Sequence, residues 1–399
     1  MNAAYDAVII GGGISGMMAA ITLAGRGKRV AVVSKGDPVC CFSTGCVDVL
    51  AEGENPLKGI RSLPEHHPYH LVGETGIAEA LELFRRIMSE EGLPYVGDVH
   101  ANRNVLTSLG RSKVTCLVPE TMEFGGVDPH ESFHILSFHK MKDFYPQYIT
   151  SRCQKAAYST FDAGITTTAG IAECFEDGGF LDTFVAWVRG RAIQEERIAV
   201  PAVLGKGNCG AVYHRIGAEC ARRVFEIPTH PPSMPGLRLF GGLKNALLRR
   251  KGDVYWGGGI YSVEKLNDQI EAVTLTGPGR NTRVEGKAFI LATGSFVSGG
   301  LQASRDAVME TVFNLPAYLP GTRDVWFQDD FFAAGHEIEK AGIRVDASFR
   351  PLGTEIENLF VCGSVLAFSE VMKYRCGHGM AIATGVAAAK ACMGTYDAV

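Results

Sequence analysis

The first sixteen residues constrain the fold more than any other stretch. Tyr5 to Ile10 (YDAVII) is an apolar run with no charge after Asp6. It leads directly into Gly11-Gly12-Gly13-Ile14-Ser15-Gly16 and then into a helix-compatible segment, Met17 to Leu23. A second apolar strand, Arg29 to Val33, follows through Gly25 and Gly27. Strand, glycine turn, helix and strand in this order predict a βαβ unit that binds a dinucleotide. Gly11 allows the sharp turn, Gly13 lets the backbone approach a pyrophosphate, and Gly16 lets the helix pack on the strand. The helix N-terminus, with free N–H groups and roughly half an elementary charge of dipole, favours the anion. Ile14 and Ser15 complete the cofactor-binding turn.

The acid that usually ends the second strand and holds a ribose is missing. Val33-Ser34-Lys35-Gly36 offers a hydroxyl and a cation instead. Ser34 and Lys35 are the cofactor candidates at this position, Lys35 as a contact to a phosphate, although a single lysine more often reads as a solvated surface charge. The replacement weighs against NAD.

With 399 residues, 46% hydrophobic content and 48 glycines, the chain has room for a large core and for two or three structural units. A net charge of -4 and a pI near 6.3 leave no basic footprint for nucleic acid. No apolar run approaches the ~20 residues needed to span a bilayer, and the first strand begins within five residues, so no signal peptide is expected. A location in the cytoplasm or on the cytoplasmic side of a membrane is expected. Eleven cysteines include no CxxC pair and no ferredoxin-like run, so no iron–sulfur cluster is expected on this chain and the thiols read as small core residues.

Further along, Ser43, Thr44 and Gly45 form a small-residue turn expected near the ligand. His66-His67-Pro68 lacks the rest of a metal-ligand set and reads as loop histidines. Ile77, Leu81, Phe84 and Met88 predict an amphipathic helix behind Thr75 as N-cap, stopped at Gly92. Helices are also predicted over Leu181 to Val188, Ala211 to Val224 and Leu237 to Arg250, and a buried strand over Ile198 to Leu204. Residues 228–236, with four prolines, form a rigid connection. Strands are predicted around Val254 to Trp256, Ile270 to Leu275 and Arg283 to Glu285. Another, Ala288 to Leu291, ends in Ala292-Thr293-Gly294, small residues that admit a ligand at a strand C-terminus. The last strand, near Leu359 to Val361, repeats this ending in Gly363-Ser364. Gly377, Gly379 and Met380 then open a helix through Cys392 whose N-terminus suits the electron-rich end of a reduced flavin.

These features together predict an α/β, doubly wound, Rossmann-like domain of the GR2 type with an inserted α+β cap. The dinucleotide domain is drawn from 1–104, 237–300 and 350–399, and the cap from 105–236 and 301–349.

The chain also resembles the B subunit of anaerobic glycerol-3-phosphate dehydrogenase, a two-dinucleotide-binding-domain flavoprotein. The matching residues are Phe42-Ser43, Gly45 and Asp48, His67-Pro68-Tyr69, Pro228-Thr229, Pro231-Pro232-Ser233, Gly236, Arg238, Ala292 to Leu301, Arg350-Pro351, Ile356 to Phe360, Gly363 to Leu366, and Cys376-Gly377 with Gly379. Residues 95–225 match poorly. The resemblance implies oxidation of sn-glycerol 3-phosphate to dihydroxyacetone phosphate within a complex. The partners implied are a flavoprotein A-type subunit and an iron–sulfur C-type subunit that meets the membrane quinone. This chain would be peripheral on the cytoplasmic side of the inner membrane, through its partner. The cofactor is FAD by the dinucleotide fold, with FMN the alternative from the family. In that setting His230 and His378 are candidate bases and Arg238 and Arg350 candidate phosphate clamps. Two other readings stay open: a flavin electron-relay subunit with no substrate site, and a flavoprotein of a heterodisulfide-type complex.

Overall fold

The computed structural model describes residues 4–128, 130–231, 233–277 and 281–394. Pro232, one of the motif residues above, lies outside them. The described residues divide into two compact units. The first takes its residues from 1–39, 48–87 and 243–399, the second from 40–47 and 88–242. Residues 301–349, expected in the cap, belong to the first unit.

The first unit is built on a seven-stranded sheet. Its central strand, Tyr5–Ile10, is apolar and buried, as a strand covered on both faces must be. It runs parallel to Val30–Ser34 on one side and Thr282–Leu291 on the other. Asp253–Trp256 extends the parallel order beyond Val30–Ser34. Thr282–Leu291 changes partners along its length: residues 282–285 pair antiparallel with Gln269–Leu275, while 289–291 pair parallel with Leu359–Val361. This single ten-residue strand replaces the two runs the sequence suggests around Gly286. A Cβ on Gly286 would lie 2.7 Å from Val8 Cγ2, so the glycine serves strand packing and not a turn. The parallel order with crossover helices is a Rossmann-like, FAD-binding fold.

Two helices cover the nucleotide end of this sheet. Ile14–Ala24 is almost wholly buried, and Gly377–Gly394 lies against it. Their backbones approach closely because Gly385 has no side chain; a Cβ there would sit 2.3 Å from the Ser15 carbonyl oxygen. The helix expected behind Thr75 starts earlier, at Tyr69, and runs to Glu90 across a break at Gly73, which has φ 73°.

The second unit has its own four-stranded parallel sheet, in the order Arg223–Ile227, Arg197–Pro201, His134–Phe138, Ala157–Phe161. Helices Gly178–Arg189 and Cys209–Cys220 belong to it, the first capped by the Asp177 carboxylate. Val224, expected on the second helix, lies in the strand instead. Ala221 takes a left-handed conformation (φ 51°) and ends the helix, so the i, i+4 series of apolar residues continues past the true boundary. The core centres on Phe133, Phe138, Phe175, Phe184 and Phe225.

Among the described residues no helix is long and apolar enough to cross a membrane. Nine of the eleven cysteines are buried and all are free thiols, which fits their reading as core residues.

Candidate functional site

Each glycine of the first turn has a different geometric reason. Gly11 adopts φ 122°, and a Cβ there would lie 2.1 Å from the Ala292 carbonyl oxygen, so the turn and the neighbouring strand end demand glycine. A Cβ on Gly16 would lie 1.9 Å from the Gly11 carbonyl oxygen, which seats the helix on the strand. Gly12, given no role by sequence reasoning, admits Ser34 Oγ and the Trp256 ring. Gly13 differs from all three. It is the helix N-cap, in extended conformation (φ -73°, ψ -179°), with no side chain capping the helix, and a Cβ on it would meet no protein atom within 4 Å. With no side chain capping it, the first turn of this helix, Ile14 to Gly16, is the end whose N–H groups a helix leaves without intrahelical partners, as an anion site requires.

The adjoining strand ends form the rest of the cradle. Ala292 is buried and donates its N–H to Ile10 O. Thr293 Oγ1 is buried without a hydrogen-bond partner among the described residues, an orphaned polar atom beside the glycine turn. Gly294 (φ 77°) and Gly363 (φ 80°) turn the chain away from the two strands. Gly363 donates to Thr384 Oγ1 at 3.0 Å and leaves room for Ser15 Oγ, 2.3 Å from where its Cβ would be. Ser364 is half-buried close to Gly294. At the head of the last helix, Gly377 and His378 are half-buried and Met380 is buried. A Cβ on Gly379 would meet Asp48 O and the Tyr69 hydroxyl, each at 2.7 Å. Ser34 is buried, its Oγ donating to Gly36 O at 2.9 Å, whereas Lys35 is exposed. An uncapped helix end, an unhindered Gly13 and an unpartnered hydroxyl fit a dinucleotide's pyrophosphate and ribose oxygens.

Behind the last helix lies a buried group that sequence reasoning missed. His67 stands in a loop, as expected, but is buried: its Nδ1 accepts the Tyr69 N–H at 3.2 Å, and its Nε2 lies 3.9 Å from Cys376 Sγ. Burial, helped by the nearby His70, lowers its pKa to about 4, so the imidazole is neutral. Burial also pushes the Cys376 thiol up to about 12. The signal was local and bland, because the partner stands 309 residues away.

Arg350 is half-buried in the first unit. Its guanidinium lies 5.8 Å from the Phe360 ring centroid and its Nε has no hydrogen-bond partner among the described residues.

The second unit holds the other candidates. Arg238 is buried and bound on three sides: Nη1 and Nη2 donate to Glu226 at 2.6 and 3.1 Å, and Nε donates to Gly205 O at 2.8 Å. Burial alone would lower the arginine's pKa; the Glu226 carboxylate reverses this and holds it raised. Glu226 also accepts from Thr121 Oγ1 and Leu204 N. Arg238 is therefore one end of a buried ion-pair network, with all three guanidinium nitrogens engaged. The Ser43-Thr44-Gly45 turn is likewise engaged inside its own unit. Ser43 Oγ donates to Cys40 O and accepts the Gly45 N–H, and Gly45 O accepts from the Tyr95 hydroxyl at 2.8 Å. Gly45, at φ 75°, is needed for contact with Pro235. His230 is half-buried and donates its backbone N–H to Asp143 O.

The chain is similar to known proteins along nearly its whole length. The B subunit of anaerobic glycerol-3-phosphate dehydrogenase from Vibrio vulnificus (strain YJ016) is 27% identical, the alignment covering 99% of this chain and 98% of that protein. The probable B subunit of the same enzyme from Halobacterium salinarum (strain ATCC 29341 / DSM 671 / R1) is 28% identical over 97% of each. Among solved structures, 3-ketosteroid delta1-dehydrogenase from Sterolibacterium denitrificans covers 98% of this chain, with 100% of its own length matched, at 13% identity and a TM-score of 0.47. The profile of the FAD binding domain family matches residues 6–380, nearly the whole length, and the chain belongs to that family.

Proposed function

We propose that this chain is the flavoprotein subunit of a respiratory anaerobic glycerol-3-phosphate dehydrogenase, oxidising sn-glycerol 3-phosphate to dihydroxyacetone phosphate. The observation that carries the reading is the end-to-end similarity to relatives bearing that name, at 27% identity over 99% of this chain. Bound FAD supplies the hydride acceptor. Gly11, Gly13, Ile14, Ser15 and Gly16 hold its pyrophosphate; Ser34, Ala292, Thr293, Gly294, Gly363 and Ser364 line its sugar and linker; and Gly377, Gly379 and Met380 present the last helix to its ring. His378, half-buried in the first turn of that helix, takes the proton of the C2 hydroxyl. Arg350 holds the substrate phosphate, since its Nε is buried without a partner among the described residues and a guanidinium presents a forked donor pair to phosphate oxygens. Electrons leave through an A-type flavoprotein and a C-type iron–sulfur subunit to quinone, and this chain sits on the cytoplasmic side of the inner membrane through its partner.

A second reading has one specific observation in its favour. Arg238 is locked to Glu226, so one of two expected phosphate ligands is withdrawn, as in a relay subunit whose substrate site lies on a partner. Anaerobic mixing of the isolated, FAD-loaded chain with sn-glycerol 3-phosphate separates the two. Bleaching of the flavin absorbance supports the dehydrogenase reading. An unchanged spectrum, with rapid bleaching once the partner subunits are added, supports the relay.

A further inference from the structure

The segment 321–340 presents two phenylalanines to solvent on a scaffold too well tied to be an idle loop. Phe331 and Phe332 are 80% and 90% exposed, their rings edge to face at 5.2 Å. Phe327, at 57%, stands on the same segment, and Met372, at 74%, lies beside its base, where Glu339 Oε2 accepts the Met372 N–H. Beneath this apolar tip the backbone is fixed. Trp326 is buried and donates its indole N–H to Gly321 O at 3.0 Å, and Ile338 N–H returns to Trp326 O. His336 clamps the turn from both sides: Nδ1 accepts the Gln328 N–H and Nε2 donates to Phe331 O, each at 3.1 Å. Asp330 caps the tip, accepting the Phe332 N–H at 2.9 Å.

We propose that the Phe331–Phe332 tip is the anchor by which this chain docks onto a partner protein subunit, entering an apolar pocket rimmed by lysine or arginine. The proposal rests on the multi-subunit reading given above. Three features favour a protein over a lipid surface or a second copy. Large, rigid aromatics held in place before binding are what dominates protein–protein interfaces, because little entropy is lost on docking. The charge around the tip is acidic: Asp324, Asp329, Asp330, Glu337, Glu339 and Glu370 against Arg323, Lys340 and Lys373, which lies against Gly335 and is paired with Glu370. Lys340 is paired with Glu337, and Arg323 stacks on Trp326. An acidic collar is repelled by anionic lipid and by an identical collar, and is complementary to a basic rim.

The test co-expresses the full-length chain with its A-type and C-type subunits and measures assembly by co-purification and by titration of the purified partners. Phe331→Ser with Phe332→Ser is expected to weaken assembly about 100-fold or more, as loss of two central anchors does. FAD content and Tm of the free chain should not change, since both rings are exposed. Asp329→Lys, at an exposed position with intact aromatics, should weaken assembly about 10-fold at low salt and flatten its salt dependence. Wild-type affinity in the double serine variant would remove the tip as anchor while leaving the complex itself intact. If the wild-type chain assembles with neither subunit, the multi-subunit reading falls and the docking proposal with it. Tip-dependent binding to phosphatidylcholine/phosphatidylglycerol vesicles, or tip-dependent self-association in sedimentation, would also overturn the proposal.

Discussion

Gly13 allows FAD binding to be disrupted without touching the fold. Its backbone is extended at φ -73°, a conformation any L-residue adopts, and a Cβ there meets no protein atom within 4 Å. Replacing it by leucine has two small, opposed effects on the free chain. Restricting the unfolded backbone stabilises by about 0.4–1 kcal/mol, and leucine is a poorer N-cap than glycine by about 1 kcal/mol. The net change is within about 1 kcal/mol, and Tm should move by no more than about 3 °C. Binding should suffer far more. A side chain over the turn holds the pyrophosphate off the helix N-terminus and removes its charge-assisted hydrogen bonds, each worth about 1.5–3 kcal/mol. Two such losses amount to about 3–6 kcal/mol, or roughly 10²- to 10⁴-fold in Kd. Fluorescence titration of the apo chain with FAD, with calorimetry of the same sample, measures both quantities. Gly16→Ala is the contrasting control: its Cβ would stand 1.9 Å from the Gly11 carbonyl oxygen, so the chain should lose its fold along with its cofactor. A Gly13→Leu chain that binds FAD at wild-type affinity would show that the pyrophosphate does not pass over this turn.

Three further outcomes are expected. Arg238→Ala leaves Glu226 buried and unpaired and should cost about 3–5 kcal/mol, read as a large drop in Tm with no selective rise in KM for sn-glycerol 3-phosphate. His67 has its folded pKa lowered to about 4 from an ordinary value near 6.5, so the unfolded chain binds the extra proton between those pH values. Stability should therefore fall as pH drops from about 6.5 to about 4, by about 3 kcal/mol when complete, and His67→Phe should remove that part of the acid sensitivity in a pH series of Tm. The flavin should be held without a covalent bond, so acid precipitation should leave a colourless pellet and all the FAD in the supernatant.

The nucleotide turn was legible in the sequence because its causes are local: a strand, three glycines and a helix start within about fifteen residues are set by sterics between near neighbours. The strand ends at Ala292-Thr293-Gly294 and Gly363-Ser364 were legible for the same reason. Contacts between distant residues were not. Arg238 carries the same side chain whether it meets a phosphate or Glu226, and only the pairing of strand Arg223–Ile227 beside Arg197–Pro201 brings the carboxylate to it. The loop position of His67 was legible from Pro68 beside it, but its burial was not, because its environment is supplied by Cys376 and Tyr374 from far along the chain. Val224 continued a helical period into a strand because periodicity does not register the left-handed Ala221 that ends the helix.

The position of Tyr5–Ile10 also has a consequence for biosynthesis. This strand takes its place between Val30–Ser34 and Thr282–Leu291, and the helix that follows it packs on Gly377–Gly394. At about 5–20 residues per second, the ribosome needs roughly 15–60 s to deliver the second neighbour of the opening strand. Through that interval the nascent chain carries an apolar βαβ fragment with an open sheet edge, the kind of surface that chaperones bind and that aggregates when they do not. The cradle is complete only once residues 359–394 have been made, because Leu359–Val361 pairs with Thr282–Leu291 and Gly377–Gly394 packs on Ile14–Ala24.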